Sequence, residues 1–341
     1  MFVADGNFKA DHVWQKKSNN NVWLWDGGGM LPNENEYSEF LQSAHERLTV
    51  CPFFCPVPMP IPGLQKAPCE NTFRALTNSL LASKACDITG LVGIACARHG
   101  CYAPNALVNL FRGEQQKNVD FAFLQALKTT GVDHRQGVML IYDIACQYFV
   151  HLQDRIGNQL PTGLAVDRAI GLFHVHAHKD ECFFRFAPSF IPGTGVIAGE
   201  ILESLWSSLN CISPTVRTAT LPHRAEMLDD HATDSNHKKL IGMVSNLCLR
   251  HAEASAMASC TAAYFAELSG TISLLTRQIW EEEVLAAEAM RLADVSSMDI
   301  YAARVSDQHP EAPAPGMHSA PGNTSSIEAL IELQILIEEK Q

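Results

Sequence analysis

Two kinds of apolar pattern run along this chain. Val138–Tyr142 is an unbroken apolar stretch between Gly137 and Asp143, which predicts a strand buried on both faces and closed by a polar residue. Gly90–Cys96 reads the same way, and residues 170–175 predict a further buried strand. The opening residues, Met1 to Ala4 ahead of Asp5, read as the tail of a strand. Strands usually run about 5–6 residues, so the expectation is a chain that starts inside a longer first strand. Helical period appears at 119–129, with Phe121, Leu124 and Leu127 on one side. It recurs at 199–210, where Leu202, Leu205, Trp206 and Leu209 follow i, i+3, i+4, i+7. Helices are also predicted over 72–84, just after Asp143 through Cys146 and Leu152, and over 226–293.

The rest is polar or broken. Residues 9–49 carry Asn-rich and Gly-rich turns and a short helical pattern near 34–48, and 51–68 hold enough prolines to exclude regular structure. Residues 306–325, rich in Pro, Ser, Gly and His, read as a linker, and 327–340 as a short apolar-acidic helix suited to docking or oligomer contacts. The resulting division is a core over 1–215 with a Cys-containing insertion at about 9–118, a helical region over 216–303, a linker over 304–326 and a terminal helix over 327–341. No internal repeat is visible.

Composition narrows this little: 341 residues with 47% hydrophobic and 18% charged are ordinary for a globular chain. The net charge of −12 argues against tight phosphate-backbone binding by the chain as a whole, and leaves room for local basic surface and for bound cations. Eleven cysteines, an odd count, in a long chain with no signal peptide argue against a disulfide framework. No apolar run reaches the roughly 18 residues of a membrane helix.

The chemistry lies in the acids. Asp5 and Asp143 end strands, and Glu200 and Glu203 stand one helical turn apart, off the apolar face of their helix. Hard divalent ions take oxygen ligands, and two of them roughly 4 Å apart activate an attacking oxygen and stabilise a leaving one. The order strand-Asp, mixed segment, strand-Asp, strand, helix-Glu fits an α/β, ribonuclease H-like core. On spacing alone a plainer reading stands beside it, with Asp5 capping a turn, Asp143 capping the next helix and Glu200 in solvent.

Several stretches resemble the KDZ (Kyakuja, Dileera and Zisupton) transposases, abundant in fungi. They are Asp5 to Phe8, Gly90 to Cys101, Phe111 to Gln116, Tyr142 to Gln147, His174 to Cys182, Phe190 to Gly195, Gly199 to Asn210 and Leu228 to His231. The resemblance implies a ribonuclease H-like fold, DDE-type DNA strand transfer with Mg²⁺ or Mn²⁺, and DNA as partner. It places the acidic set on Asp5, Asp143 and Glu200, with Glu203 as the alternative third member. It implies a nuclear location, otherwise cytoplasmic, although no strong basic import signal is visible. Three features depart from the pattern: the abrupt start before Asp5, Ala198 where relatives often carry an acid, and Cys69-Glu70-Asn71-Thr72 where they tend to read Cys-x-x-His.

Cys96, His99 and Cys101 have zinc-ligand types and spacing, with Cys69 or Cys86 able to complete a tetrahedron. Ordinary buried thiols beside a strand would look the same. Cys51 and Cys55 form another half-site. On a strand, His174, His176 and His178 would share one face, one lining the acidic site and the others bonding locally. Arg217, His223, Arg224, His237, Lys238 and Lys239 form a loose basic segment, facing either DNA phosphates or solvent. Two functions stay open: a metal-dependent DDE transposase, and a catalytically inactive transposase remnant or domesticated binding protein.

Overall fold

The computed structural model describes residues 1–15, 21–44, 69 and 86–302. In chain order the strands are β1 (Phe2–Asn7), β2 (His12–Val13), β3 (Cys86–Ile88), β4 (Gly90–Cys96), β5 (Tyr102–Leu110), β6 (Val138–Tyr142) and β7 (Val166–Ala169). The helices are α1 (Glu34–Ser43), α2 (Gln116–Thr129), α3 (Ala145–Tyr148), α4 (Leu152–Ile156), α5 (Leu172–Val175), α6 (Asp180–Phe186), α7 (Ile201–Leu209), α8 (Ser213–Val216), α9 (Leu221–Ser269) and α10 (Leu274–Met290).

Five strands make a mixed sheet in the order β5-β4-β1-β6-β7. β1 runs antiparallel to β4, and β4 to β5; β1 runs parallel to β6, and β6 to β7. β1 pairs with β4 along its whole length, from Phe2↔Cys96 to Asn7↔Leu91, and with β6 on its other edge. Short as it is, it is the centre of the sheet. β4 and β5 fall inside 9–118 and are full members of the sheet, because both are apolar enough to be covered on both faces.

Side chains of β1 alternate between two cores. Phe2 and Ala4 face α2, α3 and α6, among Phe123, Ala126, Tyr148 and Phe186. Val3 faces the other way, among Leu202, Leu205, Trp206, Leu228 and Ala232 of α7 and α9. On the first side a buried ion pair ties α2 to α3 and α4. Arg155 Nε donates to Asp120 Oδ2 at 2.7 Å and its Nη2 to Oδ1 at 3.0 Å, while the Tyr148 hydroxyl donates to Oδ1 at 2.7 Å.

The strand expected over 170–175 is not formed. β7 ends at Ala169, and Gly171 starts the short helix α5. The helices expected over 226–293 are present as α9 and α10, separated by a break that Ser273 closes by capping α10. By contacts the chain divides into Met1–Leu247 and Cys248–Gln341, so α9 belongs to the first unit as far as Leu247. In the second unit Ala287 and Arg291, at the end of α10, and Met298 are buried. Among the described residues no helix is long and apolar enough to cross a membrane. The expectations for 72–84, Cys51, Cys55, 304–326 and 327–341 fall outside the described residues.

Candidate active site

The parallel pairing of β1 and β6 sets two acids side by side. One position beyond the last pair, Ala4↔Tyr142, stand Asp5 and Asp143. Two residues past Val3, Asp5 points to the α7 side, and there Trp206 Nε1 donates to its Oδ2 at 2.7 Å. The residue paired with Asp5 across β4 is Gly93, and a Cβ there would lie 2.7 Å from the Trp206 ring. The missing side chain is what lets the indole lie close enough to reach Asp5.

α5 and α7 bring the remaining groups. Glu200 stands at the start of α7 and fills the space that a Cβ on Gly171 would take. Its Oε1 accepts the Phe173 backbone N–H at 2.9 Å, and the Leu172 N–H donates to Ala198 O at 2.9 Å. His174 therefore lies over the acids, with Nε2 3.3 Å from Glu200 Oε2 and 3.2 Å from Glu203 Oε1, and Nδ1 3.6 Å from Asp143 Oδ2.

Electrostatics follow from this crowding. Burial, then the neighbouring charges of Asp143, Glu114 and Glu203, push the Asp5 carboxyl up to about 8 despite the Trp206 bond. Burial raises Asp143 to about 6, with His174 pulling down against Glu203 and Glu200. Hydrogen bonds to Glu200 and Glu203 raise His174 to about 11, so the ring is an imidazolium at neutral pH. Burial tends to raise Glu203, but its bond with His174 holds it below the ordinary range. The group is a cluster of oxygen donors with excess negative charge and one internal cation.

The plainer reading of these acids does not hold. Asp5 is inside a strand, the cap position of α3 is Ile144, and the Glu200 carboxylate bonds a different segment. The three histidines share no face, because the segment is a helical turn. Only His174 touches the acids; the His176 ring lies 5.2 Å from that of Phe183, and His178 Nδ1 faces thiols.

Sequence reasoning missed Glu114. It lies just before α2, is 3% exposed, and accepts the Tyr142 hydroxyl at 2.6 Å. Burial, then the opposing Tyr142 bond, then Asp143, leave it raised to about 7. Its place in Phe111–Gln116, one of the matching stretches, was the available signal.

The cysteine grouping needs correction. Cys96 Sγ lies 3.4 Å from His99 Nδ1 in the β4–β5 turn, and Cys101 accepts the Cys96 N–H there through its backbone oxygen. Cys69 is not with them. It packs on the α2 side of the sheet, 3.5 Å from His178 Nδ1, and Cys86 donates to Asp11. Of the basic segment, Arg224 alone is shown to face neither solvent nor DNA. Arg224 is 1% exposed, bonding Asn109 Oδ1 and Ala10 O, while Arg217 and Lys238 pair with Asp11 and Asp234.

The Kyakuja-Dileera-Zisupton transposase family matches residues 1–236. No curated protein and no solved structure matches the chain. The matched span takes in the whole sheet, Asp5 and Asp143, α5, α7 and the first turns of α9: the chain belongs to the KDZ transposase family.

Proposed function

We propose that this chain is a DDE-type transposase with a ribonuclease H-like core, cutting and rejoining DNA phosphodiesters at transposon ends. One observation carries the reading: Asp5, Asp143, Glu200 and Glu203 arrive from three separate segments at one end of the sheet and repel one another there. The strand order, antiparallel on one side of β1 and parallel on the other, supports the core assignment.

The donor set fits Mg²⁺ or Mn²⁺. These carboxylates are hard oxygen ligands, and burial, reinforced by neighbouring acids, raises Asp5 to about 8 and Asp143 to about 6. Asp5, Asp143 and Glu200 would hold the ions, with Glu203 beside them. When bound, two such ions activate an attacking water or 3′-hydroxyl and stabilise the leaving oxygen. They also supply positive charge that a chain of net −12 lacks.

The chain's own groups have separable tasks. Trp206 Nε1–H fixes one oxygen of Asp5, so the other is the one turned to a ligand. The Phe173 N–H does the same for Glu200 Oε1. His174 holds a proton at Nε2 between Glu200 and Glu203, and offsets acidic charge until cation or DNA arrives. Glu114, held by Tyr142 on the opposite face of the sheet from Trp206, adds buried acidity near Asp5 without reaching solvent. Acting on DNA ends would place the chain in the nucleus.

Manganese-dependent nicking of supercoiled plasmid DNA tests this, with calorimetric Mn²⁺ binding on the same samples. Wild type should bind and nick; folded Asp143→Asn and Glu200→Gln should do neither. Nicking that persists in Asp143→Asn, or that ignores metal, sinks the proposal. A folded wild type that neither binds nor nicks favours the inactive-remnant reading.

A further inference from the structure

A second constellation lies beside the acidic site and has no part in it. Cys69, Cys146, His178 and Cys182 each offer one ligand atom, and all four atoms lie within 4.8 Å of one another. His178 Nδ1 is 3.5 Å from Cys69 Sγ and 3.4 Å from Cys146 Sγ. Tetrahedral zinc with Zn–S near 2.3 Å and Zn–N near 2.05 Å requires a sulfur-to-nitrogen edge of about 3.5 Å. The two His178 separations match that edge, and the other ligand atoms lie within 4.8 Å of one another.

We infer that Cys69, Cys146, His178 and Cys182 form a structural Zn²⁺ site of the Cys₃His type. Four protein ligands leave no position for water, which is the signature of a structural rather than a catalytic zinc. The surroundings suit the role: Cys182 is buried on α6, the other three are half-buried, and Gln147 Nε2 holds the Cys69 carbonyl at 2.9 Å. Binding would release the thiol protons to solvent and leave three thiolates on the ion.

Placement gives the site a purpose. Cys146 follows Asp143 by three residues, and His178 follows His174 by four. One ion would pin together the β6–α3 and α5–α6 connections, the two segments that carry Asp143 and His174. α3, α5 and α6 are each seven residues or fewer, too short to hold their positions unaided. The inference concerns a second metal and stands whether or not the acidic site cuts DNA.

The test uses the full chain, purified under reducing conditions without chelator. Zinc is measured by mass spectrometry, then exchanged for Co²⁺ and followed by absorption. We expect one zinc per chain, and sulfur-to-cobalt charge-transfer bands with d–d bands of tetrahedral intensity. Cys146→Ser and Cys182→Ser should each lower the charge-transfer intensity and weaken Co²⁺ binding by at least about tenfold. Cys96→Ser should change neither. Three outcomes overturn the inference: a folded wild type without zinc or thiolate-cobalt bands, bands indifferent to Cys182→Ser, or bands abolished by Cys96→Ser. Should a serine variant fail to fold, the charge-transfer intensity of the wild type, which scales with thiolate number, decides between three thiolates and fewer.

Discussion

Asp5→Asn separates the cost of the acidic cluster from its use. Asp5 sits at about 8 in the folded chain against 3.8 for a free carboxyl, because burial and Asp143, Glu114 and Glu203 oppose its charge. Between those values the folded state keeps a proton that the unfolded state has lost, so stability falls as pH rises and the full penalty is reached above pH about 8. Taken literally the shift corresponds to ~6 kcal/mol. Water entry and side-chain relaxation reduce it to ~2–3 kcal/mol. Asparagine keeps an oxygen for the Trp206 N–H and carries no charge. Without divalent metal, Asp5→Asn should therefore be the more stable protein at alkaline pH by ~2–3 kcal/mol and nearly equal to wild type at mildly acidic pH. Millimolar Mg²⁺ should reverse the order, raising wild type far more than the variant, since a bound cation stabilises only the state that binds it. Urea unfolding at both pH values, with and without Mg²⁺, reads all four numbers. Equal stability of the two proteins in alkaline, metal-free buffer would refute the argument, because the carboxyl would then be neither desolvated nor repelled.

Other residues make equally direct claims. Gly171→Ala should force Glu200 out of its place and destabilise the chain by ~1–3 kcal/mol, and the accompanying loss of Mn²⁺ affinity is readable by calorimetry. Asp120→Ala leaves the Arg155 guanidinium buried and unpaired, so a loss of ~3–5 kcal/mol is expected in denaturant melts. Arg224→Met keeps the volume but strips donors from Ala10 O and Asn109, for ~1–3 kcal/mol. The salt dependence of DNA binding should not change in that variant, because a buried guanidinium releases no phosphate counterion.

What could be read from the chain was what depends on neighbours in sequence. The run Val138–Tyr142 announced β6 because both faces of a central strand are covered, and the spacing of Leu202, Leu205, Trp206 and Leu209 announced α7 because a helix presents one face to the sheet. Asp143 and Glu200 stand at element ends as their spacing implied, whereas Asp5, expected to close a strand, lies inside β1. What escaped depended on partners far away. Alternating histidines suit a strand or a helical turn, and Gly171, vacated for a glutamate twenty-nine residues on, decides for the turn. Cys69 was grouped with the nearest Cys-x-x-His-x-Cys, yet its neighbours come from α3 and α6, which no local spacing records. Arg224 on a helix reads as solvated until the loop carrying Ala10 is seen closing over it. Glu114 had no local periodicity to mark it at all.

β1 is central in the sheet and precedes all its partners in sequence, and this fixes when the acidic cluster can be assembled. Asp5 leaves the ribosome 201 residues ahead of Trp206, whose indole bonds it in the finished site. At synthesis rates of roughly 5–20 residues per second, that interval is on the order of 10–40 seconds. β1 has exposed edges until β4 and β6 have been made, and the acidic cluster stays incomplete until α7 follows. The acidic cluster is thereby completed only once α7 has been made, and a chain that stops before α7 lacks Glu200, Glu203 and Trp206.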